Sequence, residues 1–294
     1  MSHFIVMVVV NHINEIDEAL APYHEYECTG NKDEYVKFVL PDETKEQLLE
    51  KFEEVKGEYG YKSFDVYMEH YYGYEKHKMK WGRWTNPDAR WDWYQVGGRW
   101  TGALKLKESA KGIYGELGVP ASFDIEEGKA KIEDIQKAGF CDVTQKKHID
   151  MDGMNKPLMK MANDRWQKFH DTIAKHEVEL VLTAWKKRID GDSSTFKSKP
   201  IQDIIRKTED IIKRLIWGYK DFKNIGTMTK DNYIECAGTW APYSVLWNNK
   251  WYDSGEMGMF GMSYNEEPQW TGAFTELWKS ISDDKVIALV DCHK

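Results

Sequence analysis

The chain is short of cysteine, of proline and of long apolar runs, and each shortage closes off a class of protein. Its four cysteines stand at 28, 141, 236 and 292 of 294 residues, with no C-x-x-C pair among them. That usage does not suit a disulfide-stapled secreted domain or a zinc ribbon, and fits a reduced, cytosolic compartment. Only 8 prolines, with 41% hydrophobic and 31% charged residues, describe a folded chain rather than a disordered one. No apolar run approaches the ~20 residues of a membrane-spanning helix. FIVMVVV (4–10) has neither a basic flank nor a small-residue cleavage site, so it is not read as a signal peptide. Positive charge is also in deficit: 41 Lys and Arg face 49 Asp and Glu, a net charge of −8. Phosphate binding rests on Lys and Arg, so a general DNA- or RNA-binding role is not expected. An acidic chain can instead dock on a basic surface, including one that normally holds nucleic acid. There is no Walker A loop, dinucleotide fingerprint, G-x-S-x-G element or convincing Cys–His pair, and no catalytic residue is assigned.

Aromatic residues are abundant instead, with 13 Trp and 16 Tyr. Such side chains bury large areas while keeping a polar tip, which suits cores and interfaces. HFIVMVVV (3–10) and KVIALVDCH (285–293) are short, β-branched and almost continuously apolar, the pattern of buried strands. EYVKFVL (34–40) reads as another strand. Helices are expected over 13–23, from an Asp42 or Thr44 cap to near Gly57, and over 64–74. The longest helical stretch, 154–189, is expected to start near Pro157; a second amphipathic helix spans 200–219. Thr229 caps a short helix, and 266–284 is helical with Pro268 near its first turn. PYSVLW and KWYDS flank Asn248-Asn249 as a hairpin. The expected fold is α+β: a mixed or antiparallel sheet with N- and C-terminal strands both buried, Trp-rich β-hairpins and a helical insertion. Its parts are an α/β portion (1–107), an exposed connection (108–153), the helical insertion (154–228), and a hairpin, helix and terminal strand (229–294) that complete the first module.

WDWYQVGGRWTG (91–102) is the densest feature. Its alternating arms around Gly97-Gly98 predict a β-hairpin, with Trp91, Trp93 and Gln95 on one face and Asp92, Tyr94 and Val96 on the other. The competing reading is an anion cradle of backbone N–H groups with Arg99 as clamp. HEYEC (24–28) and DCH (291–293) hold residue types that bind zinc, and pairing of the terminal strands would bring His3 toward His293. Neither segment has finger spacing, so no metal is expected. HIDMDGMN (148–155) lacks the later acidic ligand of a calcium loop, and His170 and His176 point to different helix faces.

SHFIVMVVV with LAPYHEYECTG, the WDWYQVGGRWTGALKLK block, and the ending KWYDSGEMGMFGM…VIALVDCHK resemble a group of phage-encoded proteins sharing WDWYxxGGRW and a VDCH ending. The resemblance covers both ends and the tryptophan block, and leaves roughly 108–230 unmatched. The chain is also similar to a Gabija anti-defence protein, and that likeness implies an oligomeric shell around an endonuclease complex, blocking DNA access. The function so implied is a phage-encoded, non-catalytic anti-defence protein. It would act in the host cytoplasm as a homo-oligomer on a host defence protein complex, such as a nuclease, with no cofactor, no direct nucleic-acid contact and no membrane contact. Its expected binding residues are Trp91, Trp93, Tyr94, Arg99, Trp100, Trp251, Met257, Met259 and Phe260, since Trp, Tyr and Arg carry most interface energy. The alternative is an immune-nucleotide sponge or hydrolase. There Trp and Tyr stack the base and Arg99 holds phosphate, while His24, Glu25, Asp291 and His293 complete the ligand site.

Overall fold

The apolar runs at the two ends of the chain form the middle of one sheet. A computed structural model describes residues 2–25, 34–117, 138–218, 222–257, 263–264 and 269–294. Its strands are β1 (His3–Val10), β2 (Lys37–Val39), β3 (Glu75–His77), β4 (Lys80–Thr85), β5 (Trp93–Gly98), β6 (Leu104–Lys105) and β7 (Glu116–Leu117). There follow β8 (Phe140–Cys141), β9 (Val143–Gln145), β10 (Ser244–Trp247), β11 (Lys250–Asp253), β12 (Glu256–Met257), β13 (Ser263–Tyr264) and β14 (Val286–His293). The helices are α1 (Ile16–Leu20), α2 (Lys45–Tyr59), α3 (Phe64–Tyr72), α4 (Met151–Lys175), α5 (Glu179–Ile189), α6 (Lys199–Lys207), α7 (Glu209–Gly218), α8 (Phe222–Thr227), α9 (Lys230–Gly238) and α10 (Trp270–Ser280). None of them, over the described residues, is long and apolar enough to cross a membrane.

The main sheet runs β11-β10-β1-β14-β5-β7, with β9 also on β14. β1 and β14 are antiparallel from His3↔His293 to Val10↔Val286, while β1 and β10 are parallel. The sheet is therefore mixed and the fold is α+β, as the sequence pattern predicts. Alternation divides the central strands between two cores. Phe4, Val6, Val8, Ala288, Val290 and Cys292 face one core with Leu20, Trp91 and Leu246. Met7, Val9, Ile287 and Leu289 face the other, with Phe274 of α10 and Leu104. This two-sided cover is why both strands read as continuous apolar runs rather than alternating ones.

Two further cores lie off the sheet. One is helical: Phe169, Ile173, Val181, Ile201, Leu215, Ile225 and Tyr233 pack together across α4 to α9. This layer spans 151–238, wider than the expected 154–228, because Asp150 caps α4 through the Gly153 N–H (2.9 Å) and α9 lies against α4. Pro157 therefore sits inside α4 instead of opening it. The single helix expected over 154–189 is split, with Glu177 in the left-handed region (φ +52°) between α4 and α5. The other core, of Leu48, Phe52, Tyr67 and Met68, joins α2 and α3 to Trp81 of the small sheet β2-β4-β3. Thr44 caps α2 in a reciprocal pair with Gln47, and the helix ends at Gly60 rather than near Gly57.

The hairpin at Asn248-Asn249 forms as expected, both residues being left-handed (φ +51° and +56°) as a two-residue type I′ turn requires. The hairpin expected at Gly97-Gly98 does not form. β5 pairs antiparallel with β14, and successive turns over 97–103 lead the chain to β6, which pairs with β8.

Candidate functional site

Antiparallel register sets His3, His293 and Trp93 side by side on one face at the corner of the sheet, with Asp291 and Gln95 one step in. His3 Nδ1 is 2.8 Å from Asp291 Oδ1, and His293 Nδ1 is 2.6 Å from Asp92 Oδ1. An ionised carboxylate only accepts, so each ring presents Nδ1–H to its partner. The two imidazoles meet edge to face, with centroids 4.9 Å apart. His24 joins the row through Nε2, 3.0 Å from the Asp92 carbonyl, and its ring lies 4.5 Å from that of Trp91. Asp291 is only 1% exposed and also accepts the Arg99 backbone N–H at 3.0 Å.

Gly97 and Gly98 make this arrangement possible. Both have positive φ, +80° and +57°. A Cβ on Gly98 would stand 2.4 Å from Asp291 Cβ, and one on Gly97 2.6 Å from Asp142 Oδ2. Asp142, fully buried, accepts the N–H groups of Gly102 (2.6 Å) and Gly115 (2.8 Å). The glycine-rich loop does grip anions, but they are two carboxylates of the protein itself. Burial pushes the Asp142 carboxyl above its ordinary range, and the two glycine N–H groups partly oppose that. Its neighbour Cys141 is pushed up to about 12 by burial and then by the Asp142 charge, and burial raises Cys292 as well. Neither thiol is a nucleophile near neutral pH.

The expected ligand set is thus partly assembled. His24, Asp291 and His293 belong to one connected row, and His3 and Asp92 complete it. His3 was anticipated only as a neighbour of His293; Asp92 enters because Asp92 and His293 meet where β5 begins and β14 ends. Arg99 contributes its backbone N–H while its side chain is exposed, and Glu25 is exposed with its N–H on the Trp91 carbonyl. Among the described residues no group of three or more His, Cys, Asp or Glu is placed to hold a metal ion. His293 Nε2 is buried without a hydrogen-bond partner.

The expected contact residues separate. Trp91 is a core residue, 7% exposed, with its indole N–H on the Leu20 carbonyl (3.2 Å). Its break from the strand alternation puts it with Tyr94 and Val96, not with Trp93. Tyr94, Trp100 and Trp251 are half-buried; Trp251 packs on the Phe4 side of the sheet and donates to Asp253. Trp93 is 47% exposed, and Arg99 is exposed at the other end of β5. Met259, Phe260 and the side chain of Met257 lie outside the described residues, as does Cys28. Beside β5 an open groove of about 440 Å³ is lined by Ile13, Tyr94, Val96, Ile113, Tyr114 and Val143. Ile113 is 53% exposed there, and Ile13 is 37% exposed. Comparison with protein-family models, curated proteins and solved structures gives no match in any of the three.

Proposed function

We propose that the chain is a non-catalytic, phage-type anti-defence protein that binds a host immune protein complex, such as the Gabija nuclease complex, and blocks its access to nucleic acid. The observation that carries this reading is Trp93. Its ring is nearly half in solvent, yet it is fixed on a strand paired to the central β14, with the His3 ring edge-on at 6.2 Å. A rigid exposed tryptophan, with an exposed arginine at the far end of the same strand, supplies the residue types of interface hot spots, because little side-chain entropy of the tryptophan remains to be lost on binding. The apolar groove lined by Tyr94 and Val96 lies on the other face of the same strand and offers a second, separate contact area. An acidic chain that covers a basic, nucleic-acid-binding surface would compete directly with the nucleic acid. Assembly into a homo-oligomer would multiply each contact.

The double variant Trp93→Ala with Arg99→Ala tests the reading. Both side chains are solvent-facing, so the variant should fold and unfold as the parent does while its affinity for the reconstituted complex falls about 30-fold or more. Undiminished affinity in a folded variant would remove β5 from the interface.

One observation favours a second reading. The buried, unpartnered His293 Nε2, with its ring held by Asp92, is oriented like the base of an acid–base pair. In that case a nucleotide is the ligand, and saturating nucleotide would raise the melting temperature of the chain alone.

A further inference from the structure

Residues 75–84 read EKHKMKWGRW, four cations against one carboxylate in a chain of net charge −8. They form the β3–β4 hairpin of the small sheet. Its two-residue turn places Lys78 (φ +48°) and Met79 (φ +64°) in the left-handed region, unusual for residues other than Gly, Asn or Asp. Met79 is 93% exposed at the tip.

The pairing register gives this sheet two different faces. Lys76, Trp81 and Arg83 share one, and Trp81 packs on the Phe52 core. Phe38, Glu75, His77, Lys80, Gly82 and Trp84 share the other, where the Glu75 carboxylate is taken up by the Trp84 indole. On that second face three aromatic rings pack mutually: Phe38 to His77 at 5.1 Å, Phe38 to Trp84 at 5.4 Å and His77 to Trp84 at 5.3 Å. All three are half-buried, and among the described residues Phe38 and Trp84 are not part of the hydrophobic cores named above. Gly82 is required beneath them, because its Cβ would stand 2.8 Å from the Phe38 ring and 2.4 Å from the Val39 carbonyl oxygen. The Trp84 indole is fixed in turn by Glu75, 2.6 Å away. Lys76 is committed to the inner face, where it pairs with Asp65 and lies over Trp81 at 4.8 Å. Among the described residues Lys78 and Lys80 have no ion-pair partner.

We infer that the outer face of β2-β4-β3 binds a short single-stranded nucleic acid, its bases stacking on the Phe38–His77–Trp84 rings and its phosphates meeting Lys78 and Lys80. Ring faces take any base, and two unpaired ammonium groups beside them take the backbone, the combination that single-strand binders use. Whole-chain charge argues against wide nucleic-acid binding. It does not govern a patch a few nucleotides long, since charges beyond about 10 Å are screened at moderate salt. An acidic protein would use the lysines but not the rings. This inference is independent of the inhibitor reading, and either can fail alone.

The test is fluorescence anisotropy of a labelled oligothymidylate of about 15 nucleotides, at about 50 mM and about 200 mM salt. Saturable binding is expected, about sevenfold weaker at the higher salt for two phosphate contacts. Trp84→Ala should weaken it about tenfold through lost stacking, and Lys78→Glu with Lys80→Glu by a similar factor. The lysine pair lies at an exposed turn, so that variant keeps the fold even if Trp84→Ala does not. No saturable binding up to about 100 µM protein at low salt would overturn the inference, as would affinity unchanged in the lysine variant. Poly-glutamate displacing the oligomer at equal charge would also overturn it, pointing to an acidic protein, and thymidine monophosphate doing so at equal concentration would point to a single-nucleotide site.

Discussion

Glycine 98 and aspartate 291 occupy the same space in complementary ways: one lacks the atom that the other would displace. Gly98→Ala puts a methyl group 2.4 Å from Asp291 Cβ at a backbone φ of +57°. Clash and left-handed strain together should cost about 3 kcal/mol or more. Gly60 has an equally positive φ of +69° but open space around its missing Cβ. Gly60→Ala should therefore cost only about 1 kcal/mol, from backbone strain alone. Urea titrations of the two variants separate packing from backbone strain, and equal losses would deny Asp291 its seat on Gly98. Positive φ at Gly98 is legible in the sequence, whereas an anion cradle stands there only as the reading that competes with a hairpin turn. What the sequence hid was whose anions: Asp142 lies 45 residues downstream of Gly97 and Asp291 lies 193 downstream of Gly98. Nothing local encodes those contacts.

The helical layer carries its own pH response. His170 on α4 stacks on Trp166, with centroids 4.1 Å apart, and its Nε2 is buried without a partner. Burial lowers its pKa below the ordinary value of 6.5, against a smaller opposing pull from the Ile225 backbone. The unfolded chain then binds the proton more readily than the folded one. Stability contributed by neutral His170 is present above pH about 6.5 and is lost as pH falls from there toward the lower folded value. Melting temperatures measured from pH 7 down to about 5 should decline in the parent, and decline less in His170→Phe, which needs no proton there. Parallel curves would place the acid sensitivity elsewhere. The helices themselves were readable from apolar spacing, and Thr229 and Thr44 cap theirs as the sequence implies. The joints were not. Thr208 bonds back to the Ile204 carbonyl and separates α6 from α7, inside a stretch whose apolar stripe runs on unbroken. A periodic stripe reports which side is buried and says little about where the axis turns.

Across the molecule, β14 holds the parts together: it pairs with β1 on one side and with both β5 and β9 on the other. Deleting 286–294 would strip partners from three strands and expose two apolar faces at once. The truncated chain should show no cooperative unfolding transition and should elute as aggregate, whereas a native-like melt would demote β14 from its central place. Both terminal strands are legible because a strand covered on two faces is apolar at nearly every position, with Asp291 the buried exception in β14. The WDWY segment does not form the predicted hairpin because strand alternation and a Gly-Gly pair specify only a strand and a left-handed bend. Which neighbour a strand chooses depends on chain that arrives much later, and here β14 takes the edge that a hairpin partner would have used. The aromatic face of β2-β4-β3 is not legible in the sequence for a related reason, since Phe38 lies far along the chain from His77 and Trp84 until the strands pair.

The placing of β1 against β14 also sets a clock. His3 and Asp291, which bond to each other, are 288 residues apart. At about 5–20 residues per second, a ribosome needs about 15–60 s to make the second after the first. For most of that interval seven β-branched or apolar residues of β1 wait with both edges open, since its other neighbour β10 begins only at Ser244, while the small sheet has its own partners long before. Rare codons or a stalled ribosome late in the message would lengthen the wait, and chaperone demand would rise with it. Folding of β1 thus depends on chain made long after it, and slower synthesis of that chain lengthens its exposure.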